Sequence, residues 1–295
     1  MGILSRFFRK KENAFSGISF GDDFNLFDRE SNVHTRFLSR YSEKDILKFF
    51  DKSGLSLFLK ENGIDNYILE ISIDDAMIHH MDVYSNEKRE GSKIIDLRLT
   101  ESRFAPSEVL RKGFLANIVY DMIVIEWLST VNPEKKKFTK EKPQLPGQKA
   151  PSLGSLRYLM ALMYHVSKES TKDGFLDVPD HIHLALMYMP QFRFLDPKNE
   201  GFIQAVKRDL RNLSLFQISM ADITGCIRKK NDGMEIKFTP GEQIFPVSRR
   251  MIKYFNSSAY RLKVKEYEKI RLFVDEQELE KKTSDLLKIK KIADL

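Results

Sequence analysis

Residues 145–170 read LPGQKAPSLGSLRYLMALMYHVSKES, a proline- and glycine-rich loop running straight into an amphipathic segment. Leu156, Leu159, Met160 and Met163 fall at helical spacing, so the pattern predicts a helix over about 155–168 with one apolar stripe. Small residues at Ser152, Gly154 and Ser155 keep the backbone N–H groups before that helix approachable. An anion placed there would meet unsatisfied amide donors and the positive end of the helix dipole. Lys149 or Arg157 would add charge, with Gln148 just upstream. The same residues also describe an ordinary turn. A Walker loop and a dinucleotide fingerprint are both excluded, because each needs glycines this loop lacks.

Upstream of the loop, residues 67–73 (YILEISI), 77–84 (MIHHMDVY) and 93–99 (KIIDLRL) alternate as an antiparallel meander. Ser42 with Asp45 approximates a capping box for a helix broken at Gly54, and residues 55–60 read as a short second helix. Between meander and loop, Leu110, Phe114, Ile118 and Met122 stand at helical spacing, which predicts a helix over 106–128. The β-branched run Ile123-Val124-Ile125 keeps a buried strand open as the alternative. Downstream, residues 175–178 and 192–195 read as short strands, and 182–189 and 202–213 as helices. Residues 224–238 form a hairpin around Asn231-Asp232-Gly233, and 261–295 a long charged helix. The class is α+β, with a mixed, mostly antiparallel central sheet flanked by helices. Three stretches follow: a flexible basic arm (1–35), an α/β core (36–205) and an accessory region (206–295).

Composition narrows the chemistry. The net charge of +7 comes from 49 basic and 42 acidic residues, a mild excess on a heavily charged surface. It suits an acidic ligand without the concentrated basic block of a dedicated nucleic-acid binder. A single cysteine, Cys226, excludes an internal disulfide framework and any multi-cysteine metal site. No apolar run reaches the roughly 18 residues that span a bilayer, and the N-terminus lacks a signal-peptide pattern. A soluble cytoplasmic protein is expected. The basic, amphipathic start MGILSRFFRKK would suit an anionic membrane surface, or simply be a frayed terminus.

The order of elements after the loop resembles the GNAT superfamily of N-acetyltransferases over residues 93–201. Gln148 matches the leading polar residue of the superfamily's pyrophosphate loop, Ser152 stands for its first glycine and Gly154 for its second. Ala185 and Tyr188 stand near the positions of its Asn-x-x-Ala helix and tyrosine, and Phe192 to Phe194 near its closing strand. The match departs at several points: Ser152 replaces glycine, Gln148 lies one residue too far upstream, and no glycine precedes the phenylalanine strand. The resemblance implies a GNAT-like core that binds acetyl-CoA or another acyl-CoA through Gln148, Lys149, Ser152, Leu153, Gly154 and Ser155. It further implies direct attack of an amine on the thioester, with Tyr188 as proton donor to the thiolate and Glu70 or Glu126 accepting the amine proton. The acceptor would be a small-molecule or protein amine.

Other clusters carry less specific chemistry. His181 and His183, with His79 and His80, would need to converge with a carboxylate to hold a metal, and nothing in their spacing brings them together. Cys226 reads as buried filler. Arg228-Lys229-Lys230 and Arg249-Arg250 are basic patches beside Tyr254 and Phe255, and the C-terminal helix offers a dimerisation surface. They support a second reading from another class: a non-catalytic scaffold that binds a protein, a nucleic acid or a membrane surface.

Overall fold

The computed structural model describes residues 18–19, 36–107, 118–133 and 137–295. The fold is α+β, with helices packed around a mostly antiparallel sheet. Two helices open it, α1 (Glu43–Ser53) and α2 (Leu55–Glu61). Ser42 and Asp45 cap α1 reciprocally, satisfying two end donors, and Gly54 separates the helices in the left-handed conformation at φ 78°. The meander follows as β2 (Tyr67–Ile73), β3 (His79–Ser85) and β4 (Lys93–Phe104), with β1 (Ile18–Ser19) laid against the far end of β4. Those two residues apart, the predicted basic arm lies outside the described residues, as do positions 108–117 of the predicted helix.

The remainder of that predicted helix is a strand, β5 (Tyr120–Thr130). Met122 to Ile125 are all buried, because β5 lies in the middle of the sheet with packing on both faces. A strand covered on both sides has no polar alternation to betray its period of two, and its β-branched residues suit it. After the loop come α3 (Leu156–Ser170), β6 (Gly174–Asp177), α4 (Ile182–Tyr188) and β7 (Arg193–Phe194). Next are α5 (Pro197–Asp209), α6 (Leu215–Ile223), β8 (Arg228–Lys229) and β9 (Gln243–Pro246). The chain ends with α7 (Arg249–Asn256), α8 (Ser258–Glu268), β10 (Leu272–Phe273) and α9 (Glu276–Ile289).

The sheet runs β2-β3-β4-β5-β6-β9-β7, and among the described residues its one parallel pair is β5 with β6. β9, from the stretch expected to be accessory, inserts between β6 and β7. Gly174 makes this possible, since a Cβ there would lie 2.3 Å from the Phe245 carbonyl. One face of the sheet packs on α1, α2 and α3 through Met81, Leu97, Ile123, Leu159 and Phe175. Over β5, β6 and β9 the other face packs on α7 and α8 through Val124, Leu176, Ile244, Met251 and Tyr260. A further core joins α4, α5, α6 and α9.

Two expectations in the C-terminal third change. The turn at Asp232-Gly233 forms, with the Gly233 amide donating to Lys229 and the Lys229 amide to Met234. The hairpin around it shrinks to a single bridge, because α6 extends to Ile223 and β8 takes β10 as its partner strand. The long charged helix is broken between α8 and α9, where Leu272 is buried in β10. An apolar side chain on an otherwise solvated helix gains more by entering the core than the helix gains by continuity.

Candidate functional site

The parallel pair has only a short register: Met122 opposite Gly174, Ile123 opposite Phe175 and Val124 opposite Leu176. β6 then ends at Asp177 and turns into α4, while β5 runs on to Thr130. At the point of parting β5 carries a bulge. Arg98 pairs with Trp127 and Leu99 with Ile125, so Glu126 is the extra residue. A bulge increases local twist and re-aims side chains, which drives the two strands apart. Beyond Ile125, no described strand flanks β5 on the β6 side. The carboxyl ends of the two parallel strands part there, the kind of place where open α/β sheets bind ligands.

The loop that precedes α3 is fastened to the same end of β5. The Thr130 and Ser152 hydroxyls lie 2.9 Å apart, and the Asn132 amide donates to the Pro151 carbonyl at 2.9 Å. Gly154 takes φ 84°, and its amide turns back to the Ser152 hydroxyl at 3.2 Å. The amides of Ser155, Leu156 and Arg157 find no acceptor among the described residues. Ser155 is fully enclosed, and its hydroxyl also lacks a hydrogen-bond partner. Leu153 is buried beneath the loop as an anchor in the core that holds α3.

The other loop residues serve the loop itself. Gln148 accepts the Leu145 amide on its Oε1 at 3.1 Å, and its carbonyl accepts Gln144 Nε2 at 2.7 Å. Lys149 is exposed. Arg157 lies over the Tyr158 ring at 4.5 Å, bonded to that hydroxyl and drawn away from the loop. Gly147, at φ 74°, is held between His181, which a Cβ would meet at 3.1 Å, and the Ile292 carbonyl, which accepts its amide at 3.1 Å.

Tyr188 lies buried on α4, its ring 5.4 Å from that of Phe192. Burial, and then the Asp177 carboxylate, push its hydroxyl far above the usual tyrosine range, so it stays protonated. Glu126 is half-buried at the bulge, beside Trp127, which is 46% exposed. Glu70 is not brought to the end of β5. It sits on β2, opposite Asp82 of β3, and is paired with Lys88. Three strand spacings separate it from β5, about 14 Å.

Two residues here escape the sequence reading. Asp177 is buried at the end of β6, and in register beside it on β9 lies Gln243, whose Nε2 donates to the Ala185 carbonyl at 3.1 Å. The Gln243 Oε1 is enclosed without a partner. Nothing in the local pattern marks either residue, because their meeting depends on β9 crossing into the sheet more than sixty positions later.

The histidines belong to structure. His183 accepts or donates through Nδ1 to the Ser219 hydroxyl at 3.0 Å, and burial, then His181, lower it to about 3. Its ring stacks on that of His181 at 5.2 Å because His181 is the extended residue before α4. His79 accepts the Leu38 amide at 3.0 Å, and His80 meets Asp74 at 3.2 Å. No group of three or more His, Cys, Asp or Glu side chains converges on a metal position among the described residues. Cys226 is buried, its sulfur accepting the Thr224 hydroxyl at 3.2 Å. No helix among the described residues is long and apolar enough to cross a membrane. No family model, curated protein or solved structure matches the chain.

Proposed function

We propose that this protein is an acyl-CoA-dependent N-acyltransferase with a GNAT-like core, working where β5 and β6 part. The observation that carries the reading is the parting of the parallel pair at the Glu126 bulge, with the acceptor-less first amides of α3 at the same end. A diphosphate would be met by the amides of Leu156 and Arg157, with Ser155 enclosed beneath them, reinforced by the dipole of a 15-residue helix. Ser152, Leu153 and Gly154 shape that approach, Lys149 faces solvent beside it, and Gln148 holds the loop in form. The extended pantetheine arm would lie along the unpaired edge of β5, as an added strand does.

In the transfer, the acceptor nitrogen attacks the thioester carbonyl carbon, the carbon–sulfur bond breaks and an amide forms. Glu126 takes the proton from the attacking amine, and Tyr188 gives one to the departing thiolate. The tyrosinate regains its proton through solvent, so amide and free thiol are the only products. The distance across the sheet makes Glu70 a remote residue for this chemistry.

Titration with coenzyme A, followed by thermal unfolding, tests the reading. At a hundred times its dissociation constant the ligand should stabilise the fold by about 2.7 kcal/mol. A flat response at millimolar ligand would remove the transferase. The scaffold reading is favoured by a different observation, the basic outer face of α7 and α8.

A further inference from the structure

α7 and α8 follow each other without a loop, since Ser257 closes the first and caps the second. Their inner sides meet in one aromatic knot, in which the rings of Tyr254, Phe255 and Tyr260 lie 5.0–5.1 Å apart. Both inner sides enter the same core, and each helix leaves its opposite side outside that core. The exposed outer residues include Arg249, Ile252 and Lys253 on α7 and Arg261, Leu262 and Lys265 on α8. Ile252 is 40% exposed and Leu262 66%, both placed among cations.

These cations are uncommitted. Arg249, Lys253, Arg261 and Lys265 have no acidic partner among the described residues, whereas neighbouring Lys263 is paired to Glu266 at 2.7 Å. Stacking on nucleic-acid bases would need accessible aromatic faces. Here Tyr254, Phe255 and Tyr260 are turned inward, the Tyr254 hydroxyl spent on the Leu195 carbonyl and that of Tyr260 on the Phe194 carbonyl, each at 2.6 Å, and Tyr267, 39% exposed, is a single ring and not a platform for successive bases. Outside, Ile252 and Leu262 stand among Arg249, Lys253, Arg261 and Lys265, with the exposed acid Glu266 paired to Lys263. That pattern fits phosphate headgroups over an acyl boundary, where lysine and arginine meet the anions and leucine and isoleucine enter the hydrocarbon.

We infer that the α7–α8 corner docks this protein reversibly on an anionic lipid surface. The inference is independent of the parting of β5 and β6 and its chemistry. Cosedimentation of the full chain with phosphatidylcholine vesicles containing phosphatidylserine, compared with phosphatidylcholine alone, tests it. Binding should require the anionic lipid and weaken as salt rises. A K253S/R261S variant should lose about 25-fold in partitioning, about fivefold for each cation removed. An I252S/L262S variant, which keeps every charge, should lose about tenfold. A K44S/K60S variant removes the same charge from α1 and α2 beneath the other sheet face, and should bind like the parent chain. The inference is overturned if the parent chain ignores anionic vesicles, or if the α7–α8 variants bind as well as the parent. Equal damage from K44S/K60S would reduce the effect to net charge and overturn it too. Capture of a single-stranded oligonucleotide at this corner, with no vesicle binding, would replace lipid by nucleic acid.

Discussion

Asp222, near the end of α6, is a carboxylate whose removal should strengthen the fold. It is largely enclosed, and burial raises its pKa from 3.8 to about 6, helped by Glu235 and opposed by the Phe238 amide and Lys237. The Phe238 amide donates to Oδ1 at 2.7 Å. A raised folded-state pKa means that the folded chain resists ionisation. Its contribution is therefore fully present below pH 3.8 and lost as pH climbs through about 6. Asn at this position keeps an oxygen for the Phe238 amide and carries no charge. The shift of about two units, at about 1.4 kcal/mol each, makes Asp222→Asn more stable than the parent by about 3 kcal/mol at pH 7.5, with the gap closing by about pH 4. Urea unfolding at pH 7.5, 5.5 and 4 measures this directly through the difference in extrapolated stability. Were the variant no more stable at pH 7.5, or the gap unchanged at pH 4, burial would not govern this carboxylate and the reasoning would fail.

Other consequences can be checked in the same way. Asp173 is buried against Arg250 and the Asp121 amide, and these partners overcome burial to hold its pKa low, so Arg250→Ala should cost about 3 kcal/mol at neutral pH by stranding the charge. Because the Asp173 pKa is depressed, that penalty should shrink as pH falls below 3.8, which acid-range urea titrations would show. His183 is held neutral in the fold with a pKa of about 3, so stability should fall as pH drops from 6.5, and His183→Gln should flatten that slope. Gly201→Val forces a side chain against Tyr267 Cβ at 2.6 Å and the Val264 carbonyl at 2.7 Å, so thermal unfolding should show a loss of about 2 kcal/mol or more. For the proposed transfer, Tyr188→Phe should lower turnover about a hundredfold while coenzyme A affinity stays within about twofold, as expected of a proton donor outside the ground-state contacts.

Local chemistry was legible wherever one segment settles its own conformation. The Ser42–Asp45 capping box, the left-handed Gly54, the alternating β2 and β4, the amphipathic α3 and the tight turn at Gly233 each follow from short-range rules and appear where those rules place them. The first amides of α3 lack acceptors for an equally local reason, because helix ends do so whatever surrounds them. The tertiary structure alone decided β5, since its burial on both faces erases the period that a single segment would display. Tertiary structure also decided the bulge at Glu126, the remoteness of Glu70, and the meeting of Asp177 with Gln243 through the insertion of β9. Those features depend on which strand lies beside which, and strand neighbours are chosen by the packing of the whole sheet, not by any one stretch of sequence.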